Sequence, residues 1–554
     1  MWNKTQHKVA LCVACLLTLS SFASENYAPA NDSITAEDLR RDVFFLTSDE
    51  INGRLVGSQG NLLATEYIEQ RFSKLGIKAF TTIGSYRQTF NLLTATMGKE
   101  NALRIQHVEG DPPLHGLTNT GKLGRDFYPE RFSGTGRAEG ELVFIGFGIS
   151  APHLNYDDYQ NTNIKGKVVL ALDHEPGEFE SNNIFNGLIA SEHGRALRKA
   201  LEAQRRGATA ILFVSDIHNH SISQTLNSAI QRIWPTEESR VVPTYQLETW
   251  VRELHIPAVR ISPELAEQLA QNSGYELHSL AERAETVSGI TPIEFSKIVV
   301  EVETFVERNT ALQTHNVVGM IEGIDPVLKN EWIILCAHYD HEGEAETGFF
   351  PGADDNASGI SGMLEIAEAY TLAGQQGYHP KRSVIFAAWN AEERGLLGSW
   401  AYTKQPLVPL DKTITVINLD MIGRNEEIPP NGGRRFGWLE PQTAESNLNA
   451  VNLLGYSYST DLRNAAEEAN EAIGLMLRFR YDHNQINLLR RSDHWPFLFN
   501  NIPALFIHTG LHPDYHTQED LPEKLNYNKM VKVVQLAHQL SWDLTHKKTR
   551  PLLD

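Results

Sequence analysis

The stretch Trp332-Ile333-Ile334-Leu335-Cys336-Ala337-His338-Tyr339-Asp340-His341, with Gly352-Ala353-Asp354-Asp355-Asn356-Ala357-Ser358-Gly359 shortly after it, decides the fold of this chain. Trp332 to Cys336 is a run of strand-forming residues that delivers histidine and acid to its C-terminal end. A glycine-bounded acidic loop then opens a helix expected over 360–372. In open α/β sheets that edge is where ligands bind. Hard ligands packed this closely at a strand end point to a metal site.

Working outward, the same alternation continues on both sides. Strands are expected at 297–302, 316–321, 384–389 and 413–419, with a helix at 395–403. Strands alternating with helices indicate an α/β fold, a mostly parallel central sheet flanked by helices. Residues 424–490 break the pattern with Gly, Pro and Arg loops and a helix near 464–474, which suits a lid or pocket wall. Upstream, 34–76 reads as largely helical around a loop at 48–54. Strands at 140–146, 166–172, 208–214 and 256–261, with helices at 196–206 and from 262, form a smaller inserted α/β unit. No cluster of His, Asp and Glu in that unit looks catalytic.

At 554 residues the chain is too long for one core. The expected organisation is residues 1–23 as signal peptide, 24–118 and 293–554 as the main domain, and 119–292 as the insertion. A formal net charge of -20 argues against nucleic acid as a partner. Lys4 and Lys8, the apolar run Val9 to Leu19 and Ser21-Phe22-Ala23 have the layout of a signal peptide, so the protein is expected to be exported, to the periplasm or the medium. The apolar run is too short for stable membrane insertion. Acylation of Cys15 is disfavoured because Cys12 sits where a lipoprotein signal has an aliphatic residue. Only Cys336 remains in a mature chain, which excludes an internal disulfide there. Its apolar strand makes it a buried small hydrophobe rather than a ligand.

Several expected strand ends in the last block finish in acid or histidine: His338, Glu392-Glu393 and Asp420. Asp354 lies in the loop after the first, and His516 in Asp514-Tyr515-His516-Thr517. Parallel strands bring such ends together. Two histidines and three carboxylates offer nitrogen and oxygen donors suited to zinc, and five are too many for one open tetrahedral site. One bridging carboxylate divides them between two ions roughly 3.5–4 Å apart, and a spare glutamate beside a ligand glutamate is a natural general base.

His338-Tyr339-Asp340, Gly352 to Gly359, Asn390-Ala391-Glu392-Glu393, Asn418-Leu419-Asp420-Met421 and Tyr515-His516-Thr517 resemble the motifs of the co-catalytic dizinc exopeptidases, which include bacterial leucyl aminopeptidases and glutamate carboxypeptidase. Residues from Gly140 to Ile261 resemble the protease-associated (PA) domain often inserted into such enzymes. The resemblance implies two zinc ions and peptide substrates. It makes Asp354 the bridging ligand, with His338 and Asp420 on one ion and Glu393 and His516 on the other. Glu392 would be the base that deprotonates a metal-bridging water, and Asp340 would hydrogen-bond the second nitrogen of His338. It also implies a cis peptide at Asp354-Asp355. His341 and His512 lie off the motif positions. Asp493 and His494, in Arg490 to Phe497, either orient ligands or pack the following turn. The activity expected is a zinc aminopeptidase. A carboxypeptidase or dipeptidase on the same centre is the alternative, with Arg424, Arg434, Arg435 and Arg491 as candidate carboxylate partners. A catalytically inactive receptor-like binding protein is the reading from another class.

Overall fold

A computed structural model describes residues 27–107, 120–180, 182–185, 191–220, 226–234, 244–437, 439–484 and 486–554. The expected signal peptide, with Cys12 and Cys15, lies outside them, as do the side chains of Arg434 and Arg435. The chain divides into two compact units. Unit 1 takes residues up to Gln88 with His315–Asp482 and Leu488–Asp554; unit 2 takes Thr89–Thr314 and His483–Asn487.

In unit 1 the sheet runs in the order Val306–Ile321, Ser383–Trp389, Trp332–His338, Thr413–Leu419, Ala504–His508, Ala450–Leu454, Met476–Phe479, its first strand entering the unit at His315. The four strands from Ser383–Trp389 to Ala504–His508 are mutually parallel. Both faces are covered, so these strands read as continuous apolar runs rather than alternating ones. Ile333, Leu335, Phe386 and Ile417 join Met363, Leu364, Val533 and Leu540 of the helices Gly359–Gln375 and Tyr527–His546 in one core. The N-terminal helices Ala36–Leu46 and Gln59–Leu75 flank the expected loop, and the side chain of Thr35 accepts from Asp38 N at the first helix start.

The stretch 424–490, expected to be a lid or pocket wall, also builds the sheet. Ala450–Leu454 pairs antiparallel with Ala504–His508, and Met476–Phe479 pairs with Ala450–Leu454. The helix expected near 464–474 is Thr460–Asn470.

Unit 2 has its own sheet, in the order Ala102–His107, Ile293–Thr304, Gly136–Phe144, Val168–Leu172, Ala210–Val214, Ala258–Ile261, Phe127–Pro129. Successive strand residues point to opposite faces. Val168, Leu170 and Leu212 therefore enter one core, and Val169, Ile211 and Phe213 the other. The unit extends beyond the expected 119–292 at both ends. Ile293–Thr304 hydrogen-bonds to both Ala102–His107 and Gly136–Phe144, which draws these flanking segments into the inserted sheet. Among the described residues no helix is long and apolar enough to cross a membrane.

Candidate metal centre

Four parallel strands of unit 1 end at the same edge, and the chemistry gathers there. His338 closes the strand Trp332–His338, level with Trp389 on its neighbour. Glu392 and Glu393 follow Trp389, and Asp420 follows Leu419. His516 stands in the loop after Ala504–His508.

Asp355 lies between the histidines. Its Oδ1 is 3.2 Å from His338 Nε2, and its Oδ2 is 2.9 Å from His516 Nε2. His338 Nε2 also lies 3.5 Å from Asp420 Oδ1 and 3.9 Å from Glu392 Oε2. His516 Nε2 lies 3.3 Å from Glu393 Oε2. Two sets of donors result: His338, Glu392 and Asp420 in one, and His341, Asp355, Glu393 and His516 in the other.

Asp354, expected to bridge, points elsewhere. Its Oδ1 accepts from Gly423 N at 2.6 Å and Arg424 N at 3.2 Å, and its Oδ2 lies 3.2 Å from His512 Nε2. The backbone at Asp355 is extended (φ -108, ψ 92), and in extended chain neighbouring side chains project to opposite sides. Only one of two adjacent aspartates can face the histidines. The cis peptide likewise falls one residue later than expected, at Asp355-Asn356.

Asp340 also acts differently from the expectation. Its Oδ1 is 3.9 Å from His338 Nδ1, beyond hydrogen-bond range, and that nitrogen instead meets the Asp340 carbonyl at 3.2 Å. The Asp340 carboxylate accepts from Glu392 N at 3.0 Å and Glu393 N at 3.3 Å. It thereby fixes the turn that carries both glutamates. His341, off the motif positions, hydrogen-bonds Glu393 Oε1 through Nδ1 at 2.7 Å.

The supporting contacts lock each donor in place. Ser492 Oγ donates to Asp420 Oδ2 at 2.6 Å, and Asn418 Nδ2 donates to Ser492 Oγ at 2.6 Å. Asp520 Oδ2 accepts from the backbone N–H groups of Asp354 and Asp355. Asp493 hydrogen-bonds Ser399 at 2.5 Å, whereas buried His494 stacks on Phe506, a packing role. Cys336 is buried, its thiol 3.4 Å from Asn418 Oδ1.

Sequence reasoning gave no role to Arg54, whose side chain is fully buried. Its Nε donates to Tyr339 O at 2.9 Å, Nη1 to Leu46 O and Pro351 O, both at 2.7 Å, and Nη2 to Gly352 O at 2.9 Å and Asp355 O at 3.4 Å. The available signal was an arginine inside Ile51-Asn52-Gly53-Arg54-Leu55, a turn with little else to solvate a cation.

Electrostatics sharpen the picture. Burial alone would raise the Asp355 carboxyl, but the His338 and His516 imidazoles hold it well below the usual carboxylate range. Burial works against the His516 cation, yet Glu393 and Asp355 push its pKa up to about 11. Burial, then Glu393, Asp493 and Asp420, push Glu392 well above the usual range against the opposing pull of His338. A buried surplus of carboxylates calls for a cation. Asp420 Oδ1 and His341 Nε2 are buried without hydrogen-bond partners, as donors reserved for an ion would be. The donor set fits zinc: imidazole nitrogens and carboxylate oxygens, with Asp355 able to serve two ions at once.

Residues 316–541 match the model of peptidase family M28. That segment of the chain is similar to this family. The probable glutamate carboxypeptidase AMP1 of Arabidopsis thaliana is 22% identical over 86% of this chain and 62% of its own length. The probable leucine aminopeptidase 2 of Aspergillus oryzae is 32% identical over 36% of this chain and 34% of its own. The chain thus spans less than two thirds of the curated relatives it matches. Among solved structures, an aminopeptidase from Aneurinibacillus sp. strain AM-1 superposes with a TM-score of 0.43 at 21% identity, covering 93% of this chain and 94% of the other. All the strand-end donors of unit 1 fall within the segment matched by that family model, and Arg54 reaches it from outside.

Proposed function

We propose that this chain is an exported zinc aminopeptidase of the M28 type that removes N-terminal residues from peptides. Asp355 would be shared between two zinc ions, which His338 and Asp420 on one side and Glu393 and His516 on the other would help to hold. The observation that carries this reading is the Asp355 carboxylate, whose two oxygens face two different histidines. Zinc bound there supplies Lewis acidity at the scissile carbonyl and brings the pKa of water down towards neutrality.

The remaining work belongs to the chain. Glu392 is the group beside the centre that the ligand set does not use, and its raised affinity for a proton suits it to take one from the attacking water and pass it to the leaving amine. Asp340 positions Glu392 and Glu393 together through their backbone N–H groups. Asp520 and Arg54 hold the Asp355 loop from its N–H and C=O sides. A buried, preorganised donor set costs little rearrangement during reaction.

A carboxypeptidase would need a free arginine for the substrate carboxylate. Arg424 is already paired with Asp514 at 2.9 Å, whereas Arg491 lies close enough to act on Tyr515 beside the centre, so the carboxypeptidase stands as the second reading. Unit 2 we read as the PA domain, acting in substrate selection rather than in bond cleavage. The deciding experiment gives the zinc-loaded protein a mixed peptide pool and reads the products by mass spectrometry. Stepwise loss from the N-terminus is expected. Loss from the C-terminus would convert the assignment to a carboxypeptidase, and intact peptides with no bound zinc would mark a binding protein.

A further inference from the structure

Unit 2 brings together a donor group unconnected with the Asp355 centre. The strands Val168–Leu172 and Ala210–Val214 pair in parallel, with Leu172 beside Val214, so the loops leaving them start side by side. The first loop carries His174 and Glu178, the second His220. His174 Nδ1 lies 3.2 Å from Glu178 Oε2, and His220 Nε2 lies 2.5 Å from Glu178 Oε1. Each carboxylate oxygen therefore faces its own imidazole, and the two rings stack with centroids 4.2 Å apart. One donor atom from each of the three residues lies within 4.8 Å of the others.

Both loops are held in this arrangement. The Lys199 ammonium donates to the His174 carbonyl. Asp216 accepts from His218 N at 3.1 Å and Asn219 Nδ2 at 2.8 Å, and its carbonyl accepts from His220 N at 3.0 Å. Glu285, distant in sequence, accepts from Gly177 N at 2.7 Å in the first loop and from the Asn219 amide in the second. His174 adopts a left-handed φ of 62°, which a side-chain-bearing residue takes only where its surroundings hold it there. Glu178 is 10% exposed, while His174 and His220 are 43% and 34% exposed, so an ion has a route in from solvent.

We propose that His174, Glu178 and His220 form a further metal site, taking one zinc-class divalent ion through two imidazole nitrogens and one carboxylate oxygen, with water completing the shell. Two histidines and a glutamate with an open position are a zinc donor set. Calcium and magnesium demand more oxygen ligands, and cuprous copper demands sulfur. Donor atoms around a tetrahedral zinc stand roughly 3.3 Å apart, given metal–ligand bonds of about 2.0–2.1 Å. His174 and Glu178 already have that spacing. His220 and Glu178 stand at the spacing of a shared proton, which the ion would replace after a movement of under about 1 Å. The bound ion would clip the two loops together.

The test equilibrates the full chain with zinc at a fixed free concentration, buffered by nitrilotriacetate, and counts ions per chain by plasma mass spectrometry. Glu178→Gln and His220→Asn are each expected to carry one ion fewer than the wild type. Both substitutions fall in unit 2, and circular dichroism checks that the fold is kept. Asp355→Asn, made to empty the other centre, should keep the unit 2 ion. Cobalt added to Asp355→Asn should give visible d–d absorption that disappears in Asp355→Asn/His220→Asn. Equal zinc counts in Glu178→Gln, His220→Asn and wild type, or a cobalt spectrum that ignores His220, would overturn the site.

Discussion

Arg54→Lys separates geometry from charge at the base of the metal centre. The five guanidinium N–H groups form a fixed fork, and here they reach five carbonyls, of Leu46, Tyr339, Pro351, Gly352 and Asp355. Burial pulls the Arg54 pKa down to about 10, with Asp355, Asp340, Asp520 and Glu393 opposing, so the group stays cationic at neutral pH. Lysine keeps the charge but presents three donors from a single atom. At least two buried carbonyls then lose their partner. A hydrogen bond to a charged group contributes about 1.5–3 kcal/mol, so after partial relaxation the substitution should cost about 3 kcal/mol. Arg54→Met also removes the cation facing those carboxylates and should cost more than ~4 kcal/mol. Because Gly352 and Asp355 are among the anchored residues, Arg54→Lys should also weaken zinc binding about tenfold, or ~1.4 kcal/mol. The assay is urea unfolding of the zinc-loaded chain, followed by fluorescence of buried Trp389 and Trp400, beside chelator competition for zinc. An Arg54→Lys protein within ~0.5 kcal/mol of wild type, with unchanged zinc affinity, would refute the reasoning.

Glu392→Ala should lower kcat by at least about a hundredfold while zinc content measured by plasma mass spectrometry stays at the wild-type level. Gly359→Ala would set a Cβ 2.2 Å from Leu419 O, so the loop before it must shift; a cost of roughly 1–3 kcal/mol and a fall in kcat are expected from melting and kinetic assays. Glu365, raised to about 7 by burial and Asp42 against Arg71, favours its protonated form in the fold. Its contribution to stability is complete below about 4.5 and is lost as pH rises through about 7, so Glu365→Gln should gain on wild type between pH 5 and 8, by up to roughly 3 kcal/mol in denaturant titrations.

The gathering of His338, Glu393 and Asp420 was legible because each apolar run in a parallel sheet stops at the edge where ligands bind, and these residues stand at or just after such stops, with His516 in the loop that follows another. The choice between Asp354 and Asp355 was not. Both are carboxylates in one loop, and only the backbone turn sends one towards the histidines and the other towards Gly423. Asp340 misled for a related reason: its carboxylate meets backbone N–H groups, which leave no trace in side-chain pattern. Arg54 was hidden likewise, since its partners are carbonyls spread from Leu46 to Asp355. The strands Ala450–Leu454 and Met476–Phe479 are short, the second of them at the sheet edge, and their pairing with the central sheet depends on long-range register. In unit 2, His174, Glu178 and His220 drew no notice because only the pairing of two strands brings them together.

The central claim is that Asp355 holds two ions. A crystal of the zinc-loaded protein, with anomalous scattering recorded on either side of the zinc edge, tests it most directly. Two peaks roughly 3.5–4 Å apart are expected, one on Asp355 Oδ1 beside His338 and Asp420, the other on Oδ2 beside Glu393 and His516. A single peak there, or a pair centred on Asp354, would contradict the account.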